Sequence, residues 1–312
     1  MARKIKRTIK SKAATGEEFT LPEAPKPVDT NLQHYTTLVY GREKWGKTTF
    51  FSSYPETIFL MTEPGAQGLS IFEFNHEQGG IRNWNDFRAA VDLLEQSKRF
   101  KNVVIDTAAR AYDMCMDWVC EELNISYPGT DEYGVQDRGK SWKFIKREFM
   151  DQIHRLKRTG RGVCFTGHSK SEHHKSRTGE EYDRVYPDMS GQCRSVVQAL
   201  VDMFFYGEYF KDEQNRTVRC IVTEGDEMIW AGHRPIAGFG KLPQFIQIKE
   251  GVGYETLLGA FKGTVKGYNA LQLGKARESD PATQEFLIGQ RKERGKEGVK
   301  SGKKVVRRVV KQ

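Results

Sequence analysis

The chain has 312 residues, 38% of them hydrophobic and 11% aromatic, enough for one large α/β domain or two smaller ones. No apolar run approaches 18 residues, which excludes a transmembrane helix, and the basic start Met1–Arg7 has no apolar stretch behind it to make a signal peptide. The formal charge of +9 is unevenly spread: residues 1–12 hold six Lys/Arg and no acid, residues 291–312 net +8, and removing both ends leaves −5 for residues 13–290.

In chain order, residues 1–33 hold Pro22, Pro25 and Pro27 among polar residues and read as a disordered basic arm. Residues 37–41 read as the first strand. Gly41-Arg42-Glu43-Lys44-Trp45-Gly46-Lys47-Thr48-Thr49 follows, and fits G-x-x-x-x-G-K-[ST]. A strand, a Gly-rich turn and a helix start make an anion cradle from inward-facing N–H groups and the helix dipole. Gly41, Lys44, Gly46, Lys47, Thr48 and Thr49 are therefore the nucleotide-binding candidates. Lys47 would reach the β/γ-phosphates of ATP, and the Thr48 hydroxyl would ligate Mg²⁺. Trp45 is a large ring where small residues are common. It either stacks on a base or a partner, or packs under the loop.

Residues 57–62 read as a second strand, ended by Glu63 and turned by Pro64-Gly65. Trp84 to Gln96 has helical spacing of Trp84, Phe87, Val91 and Leu94. Residues 102–106 are a buried strand ending on Asp106, in the manner of a Walker B carboxylate that holds Mg²⁺, with helix capping as the alternative. Residues 109–124 and 141–158 read as helices, the second with Trp142, Ile145, Phe149, Ile153 and Leu156 on one face. Residues 162–167 are a further strand, followed by His168.

Beyond residue 170 the pattern changes. Residues 170–184 are polar and read as a mobile loop. Residues 196–206 and 217–223 read as strands or a helix–strand pair, and 232–243 as a Gly/Pro-rich loop. Residues 266–312 read as a basic tail. The ATPase domain is thus expected at 34–265. Alternation of strands and helices predicts an α/β fold with a mostly parallel sheet covered on both faces. In such sheets ligands sit at the carboxyl ends of the strands, where all these candidates fall.

Lys47, Glu63 and His168 are the catalytic candidates. A carboxylate across the γ-phosphate from Lys47 can deprotonate the attacking water. An imidazole N–H can bond the γ-phosphate and pass its loss to the following loop. His173 and His174 near His168 invite a zinc reading that no Cys or carboxylate spacing supports. Arg234 and Lys241 are candidates for a cationic finger reaching a neighbouring subunit's ATP. The five cysteines form no C-x-x-C pair and read as reduced thiols of a cytoplasmic protein. The basic ends suit salt-sensitive phosphate contact.

Together, Gly41–Thr49, Glu63, Asp106-Thr107, Thr166-Gly167-His168-Ser169-Lys170 and Gly240-Lys241-Leu242-Pro243 resemble the phage-type RecA-like ATPases of the AAA-domain group. That group includes the core-only recombinases acting in single-strand annealing. The resemblance covers roughly residues 35–245. It implies a RecA-like P-loop NTPase core, ATP and Mg²⁺, single-stranded DNA, ring or filament assembly, and replication or ssDNA-binding proteins as partners. It also implies that Glu63 activates water and His168 senses the γ-phosphate. It places the protein in a bacterial cytoplasm, host-derived or phage-encoded. The resemblance leaves open a helicase or helicase-loader motor, and a nucleotide switch without turnover.

Overall fold

The computed structural model describes residues 10–12, 18–212, 214–234 and 242–265. Lys241 and the tail 266–312 lie outside the described residues, as do residues 1–9 and 13–17 of the N-terminal arm. Residues 1–30 form a unit of their own. Within it β1 (Lys10–Lys12) and β2 (Glu18–Thr20) pair antiparallel, with Lys12 opposite Glu18. A stretch expected to lack structure thus contains a short ladder.

The main unit begins at Asn31. Its parallel strands are β3 (Thr37–Gly41), β4 (Thr57–Met61), β5 (Phe72–Glu73), β6 (Asn102–Asp106), β7 (Gly162–Lys175) and β9 (Met203–Lys211). Antiparallel strands β8 (Glu181–Pro187), β10 (Thr217–Val222), β11 (Gly232–His233) and β12 (Phe245–Gln247) extend it. The order is β12-β10-β9-β3-β7-β6-β4-β5, with β11 on β9 and β8 on β7. The strand that feeds the phosphate loop is therefore central, between β9 and β7.

Alternation along each strand sorts side chains onto two faces. Leu38, Ile58, Leu60, Val103, Ile105, Val163 and Phe165 point to one face. There they meet α2 (Trp84–Gln96), α3 (Ala108–Glu122), α4 (Lys140–Arg158) and α5 (Gly191–Leu200). Val39, Phe59, Val104 and Cys164 point to the other, with α1 (Lys47–Ser52) and α6 (Gly253–Phe261). Near-continuous apolar strands follow from burial on both faces. The expected α/β class, with a mostly parallel sheet between helices, is the observed one. In α4, Ile145, Phe149, Ile153 and Leu156 are buried as the spacing predicts, and Phe149 lies 5.8 Å from Trp84 and 5.2 Å from Tyr112. Arg155 ties α4 to α2 through Asp92 and Glu95, at 2.6 and 2.5 Å. Cys115, Cys164, Cys193 and Cys220 are buried thiols, and burial pushes Cys220 up to about 12.

One expectation is corrected. Residues 170–184 are not a loop: β7 continues past the sheet and pairs with β8 from Ser169 opposite Pro187 to Lys175 opposite Glu181. Polar composition hid the strands. Their register is marked by cross-strand pairs, Lys175 to Glu181 at 2.8 Å and His173 to Asp183 at 3.4 Å, and by a turn with Gly179 at φ +92°. Residues 196–206 and 217–223 resolve into α5 followed by β9, then β10. Part of the Gly/Pro-rich stretch 232–243 pairs as β11.

Candidate functional site

The ends of β3, β4 and β6 and the middle stretches of β7 and β9 come together at the phosphate loop. Gly41 ends β3, and its register partner on β9 is Gly207. A Cβ on Gly41 would fall 2.7 Å from the Gly207 carbonyl, and one on Gly207 would fall 2.6 Å from the Trp45 ring. The two glycines open a slot that the indole fills. Trp45 is fully buried, donates Nε1–H to the Glu208 carbonyl at 3.1 Å, and joins the core with Phe51, Phe205 and Ile221. Of the two sequence readings, packing under the loop is the observed one.

Gly46 caps α1 at φ +101°, a left-handed geometry that glycine adopts freely. The buried Lys47 donates Nζ–H to the Gly41 carbonyl at 3.1 Å and the Arg42 carbonyl at 2.9 Å. Burial lowers its pKa, opposed by the negative charges of Asp106, Glu43 and Glu63. An ammonium held in this way is favoured by any anion placed in the loop.

Asp106 ends β6 and is 6% exposed. Its Oδ2 accepts from the Thr48 hydroxyl at 2.7 Å, and its Oδ1 from the Thr166 hydroxyl on β7 at 2.5 Å. The alternative role of capping the next helix falls to Thr107, whose Oγ1 accepts the Arg110 N–H at 3.4 Å. Asp106 is thereby left facing the phosphate loop. A hydroxyl and a carboxylate side by side suit Mg²⁺, which takes one or two carboxylates and completes its shell with water and nucleotide phosphate.

Glu63 follows β4. Its Oε1 accepts from the Thr107 hydroxyl at 2.8 Å, and its Oε2 lies 3.2 Å from His168 Nε2. Both side chains are a little over one-third exposed, so they border solvent and not the core. The backbone of this corner is held by Thr62, whose hydroxyl donates to the Thr107 carbonyl at 3.1 Å and accepts from the Thr107 N–H at 2.9 Å. Lys44, Gly46, Lys47, Thr48, Thr49, Glu63, Asp106, Thr107 and His168 line one cavity of about 390 Å³, roofed by Pro64 to Leu69. An anion cradle, a metal-competent hydroxyl–carboxylate pair and a solvent-edge carboxylate with a histidine can together bind a polyphosphate and act on a water beside it.

Arg234 is not at this corner. It sits beside β11 and pairs with Asp202 at 3.2 Å, at the opposite end of β3 and β9, where Asp202 also accepts the Thr36 N–H. Lys241 lies outside the described residues. His173 and His174 are on the projecting part of β7, away from His168, and among the described residues no group of three His, Cys, Asp or Glu is spaced to hold a metal.

Thr107 and Thr166 stand in the sequence simply as neighbours of Asp106 and His168. Their hydroxyls prove to position both carboxylates. A Thr directly after the strand-ending Asp was the available signal for the first, and nothing local marked the second. Arg219, on β10, lies in no motif of the sequence. It comes against Gly46 across 173 positions of sequence, a contact no local pattern announces.

A family profile described as an AAA domain matches residues 33–235. A KaiC-like protein from the hyperthermophilic archaeon Pyrococcus horikoshii OT3 is similar in structure at 13% sequence identity and a TM-score of 0.36, over 70% of this chain and 86% of that one. No curated protein matches the sequence. Among the described residues no helix is long and apolar enough to cross a membrane. With the match spanning well over half of its length, the chain belongs to the AAA-domain family of P-loop ATPases.

Proposed function

We propose that this protein binds ATP with Mg²⁺ in the cavity over Gly41–Thr49, hydrolyses it, and couples the cycle to single-stranded DNA in recombination, annealing or replication. The observation that carries the hydrolytic reading is the Thr107–Glu63–His168 chain across from Lys47. Lys47 and the loop N–H groups hold the β/γ-phosphates. Thr48 and Asp106 would hold Mg²⁺, which would supply charge neutralisation to the phosphates. Glu63 accepts a proton from the attacking water, and its bond to Thr107 fixes its direction. His168, a little over one-third exposed at the same edge, donates to the γ-phosphate and answers its loss.

DNA coupling is supported by continuity. His168 lies within β7, and the same strand runs outward through Lys170 and Lys175, with Arg184 on its partner β8. The basic ends add sequence-independent phosphate contact. Assembly into a ring or filament would bring a second copy's cations to this cavity. For Arg234 to serve there it must exchange its bond to Asp202 for one to phosphate.

The test is ATP hydrolysis with and without single-stranded DNA. Turnover rises with DNA at low salt and the rise fades as salt increases, because phosphate contacts release counterions. Lys47→Ala lowers turnover about a hundredfold or more, the scale of losing one preorganised transition-state contact. Asp106→Asn raises the Mg²⁺ concentration needed for half-maximal turnover about tenfold, one lost charge-assisted ligand. Turnover indifferent to DNA would refute the coupling, and turnover surviving Lys47→Ala would refute the site.

A further inference from the structure

Arg219 presses its guanidinium against the phosphate loop. A Cβ built on Gly46 would fall 2.7 Å from Arg219 Nη1 and 3.1 Å from its Cζ. The same Cζ lies 5.8 Å from the Trp45 ring centroid. Some arginines of the chain meet carboxylates, among them Arg82 with Asp86, Arg155 with Glu95, Arg216 with Asp212 and Arg234 with Asp202, and others do not; what sets Arg219 apart is its place against the phosphate loop. Among the described residues, Arg219 has no such ion pair. A half-buried cation beside a polyphosphate cradle, without a protein anion, is a group with capacity for an external one.

Sheet order says which part of a nucleotide would meet it. Glu63 and His168 belong to β4 and β7, on one side of β3, while β9 and β10 lie on the other. With the γ-phosphate toward Glu63 and His168 and the β-phosphate in the loop, the α-phosphate and nucleoside leave toward β9 and β10. Arg219, against Gly46, stands on that side of the loop. Tyr209 is its direct partner across the β9–β10 ladder and is 39% exposed. Directly opposed residues share a face of the sheet, so Tyr209 and Arg219 are on the same face.

We infer that Arg219 is a nucleotide contact supplied by the same subunit, its guanidinium holding the α-phosphate and sugar end of ATP or ADP, with Tyr209 on the same face. This rests on the reading of the cavity as an ATP site. A contact at that end is shared by ATP and ADP, so both feel its loss equally. A residue that only packs on Trp45 would change stability and leave nucleotide affinity alone. A γ-directed residue would separate ATP from ADP.

The experiment is calorimetric titration of the full chain with ATP and with ADP in Mg²⁺, for wild type, Arg219→Ala and Arg219→Lys, with the melting temperature of each protein before nucleotide is added. Arg219→Ala raises both Kd values about tenfold and leaves their ratio unchanged, as expected for a charge-assisted hydrogen bond. Arg219→Lys restores part of the affinity, since it keeps the charge without the planar fork. The nucleotide-free melting temperature moves by less than about 3 °C, under 1 kcal/mol for a domain of this size. Wild-type binding with an Arg219→Ala Kd within twofold overturns this inference and leaves the ATP site standing. So does a loss confined to ATP. Failure of the wild type to bind either nucleotide overturns both. If Arg219→Ala does not fold, Arg219→Gln, which keeps the stem over Trp45, is judged by the same criterion.

Discussion

Glu63→Gln lowers ATP turnover about a thousandfold and leaves the Kd for ATP within about twofold, in the range removed with a general base. The substitution is nearly isosteric. A glutamine side chain still accepts from the Thr107 hydroxyl through its carbonyl, the bond Glu63 makes at 2.8 Å, so the corner between β4 and β6 keeps its shape. What is lost is the capacity to take a proton. The two bonds of the Thr62 hydroxyl to the Thr107 backbone, which do not involve the Glu63 side chain, keep the β4 end in place. Binding and chemistry therefore separate in this variant, and steady-state turnover beside equilibrium titration reads both. Turnover within tenfold of wild type would remove Glu63 from the reaction and favour a nucleotide switch in which the carboxylate only orients His168.

Trp45→Ala destabilises the protein by about 3–5 kcal/mol, the usual cost of emptying a large aromatic site. For a body of this size that is a fall of roughly 10 °C in melting temperature, measured by calorimetry or circular dichroism. The magnitude follows from the slot beneath the loop. Neither Gly207 nor Gly41 can fill it, because both are held by paired strands at fixed register. The Glu208 carbonyl also loses the indole N–H. Since the ring is the floor of the phosphate loop, ATP affinity falls in the same variant. A drop of less than about 3 °C would mean that the loop collapses readily over the space.

How far the sequence foretold this molecule depended on the range of each interaction. The phosphate loop is contiguous, so Gly41–Thr49 was readable directly. Glu63, Asp106 and His168 were readable because each ends or follows an apolar strand, and parallel strands present their ends at one edge. Strand order was another matter. That β7, far along the chain, lies between β3 and β6 is decided by packing of α3, α4 and α5 on one face, which no window of sequence contains. Trp45 was ambiguous for the same reason, its site being made by Gly207 and Glu208 more than 160 residues away. The hairpin is hidden in the sequence because the β7 arm, Ser169 to Lys175, is polar throughout, which leaves hydrophobic periodicity nothing to report there.

The continuity of β7 has a mechanical consequence. Ser169 to Lys175 extend the strand seven residues past His168. At ~3.3 Å per residue the projecting arm is ~23 Å long. An arm of that length, rooted at its inner end, converts a tilt of about 10° at His168 into a tip displacement of roughly 4 Å, comparable to the ~4.8 Å spacing between neighbouring strands. The arm is a paired ribbon and not a free loop, and Val185 of β8, opposite Ser171, is bonded to the Met228 carbonyl and the Trp230 N–H, so a tilt at His168 loads those two bonds first. Its stroke is set by length: shortening the ribbon by two residues on each strand cuts the excursion at the tip by nearly a third while leaving the pivot untouched.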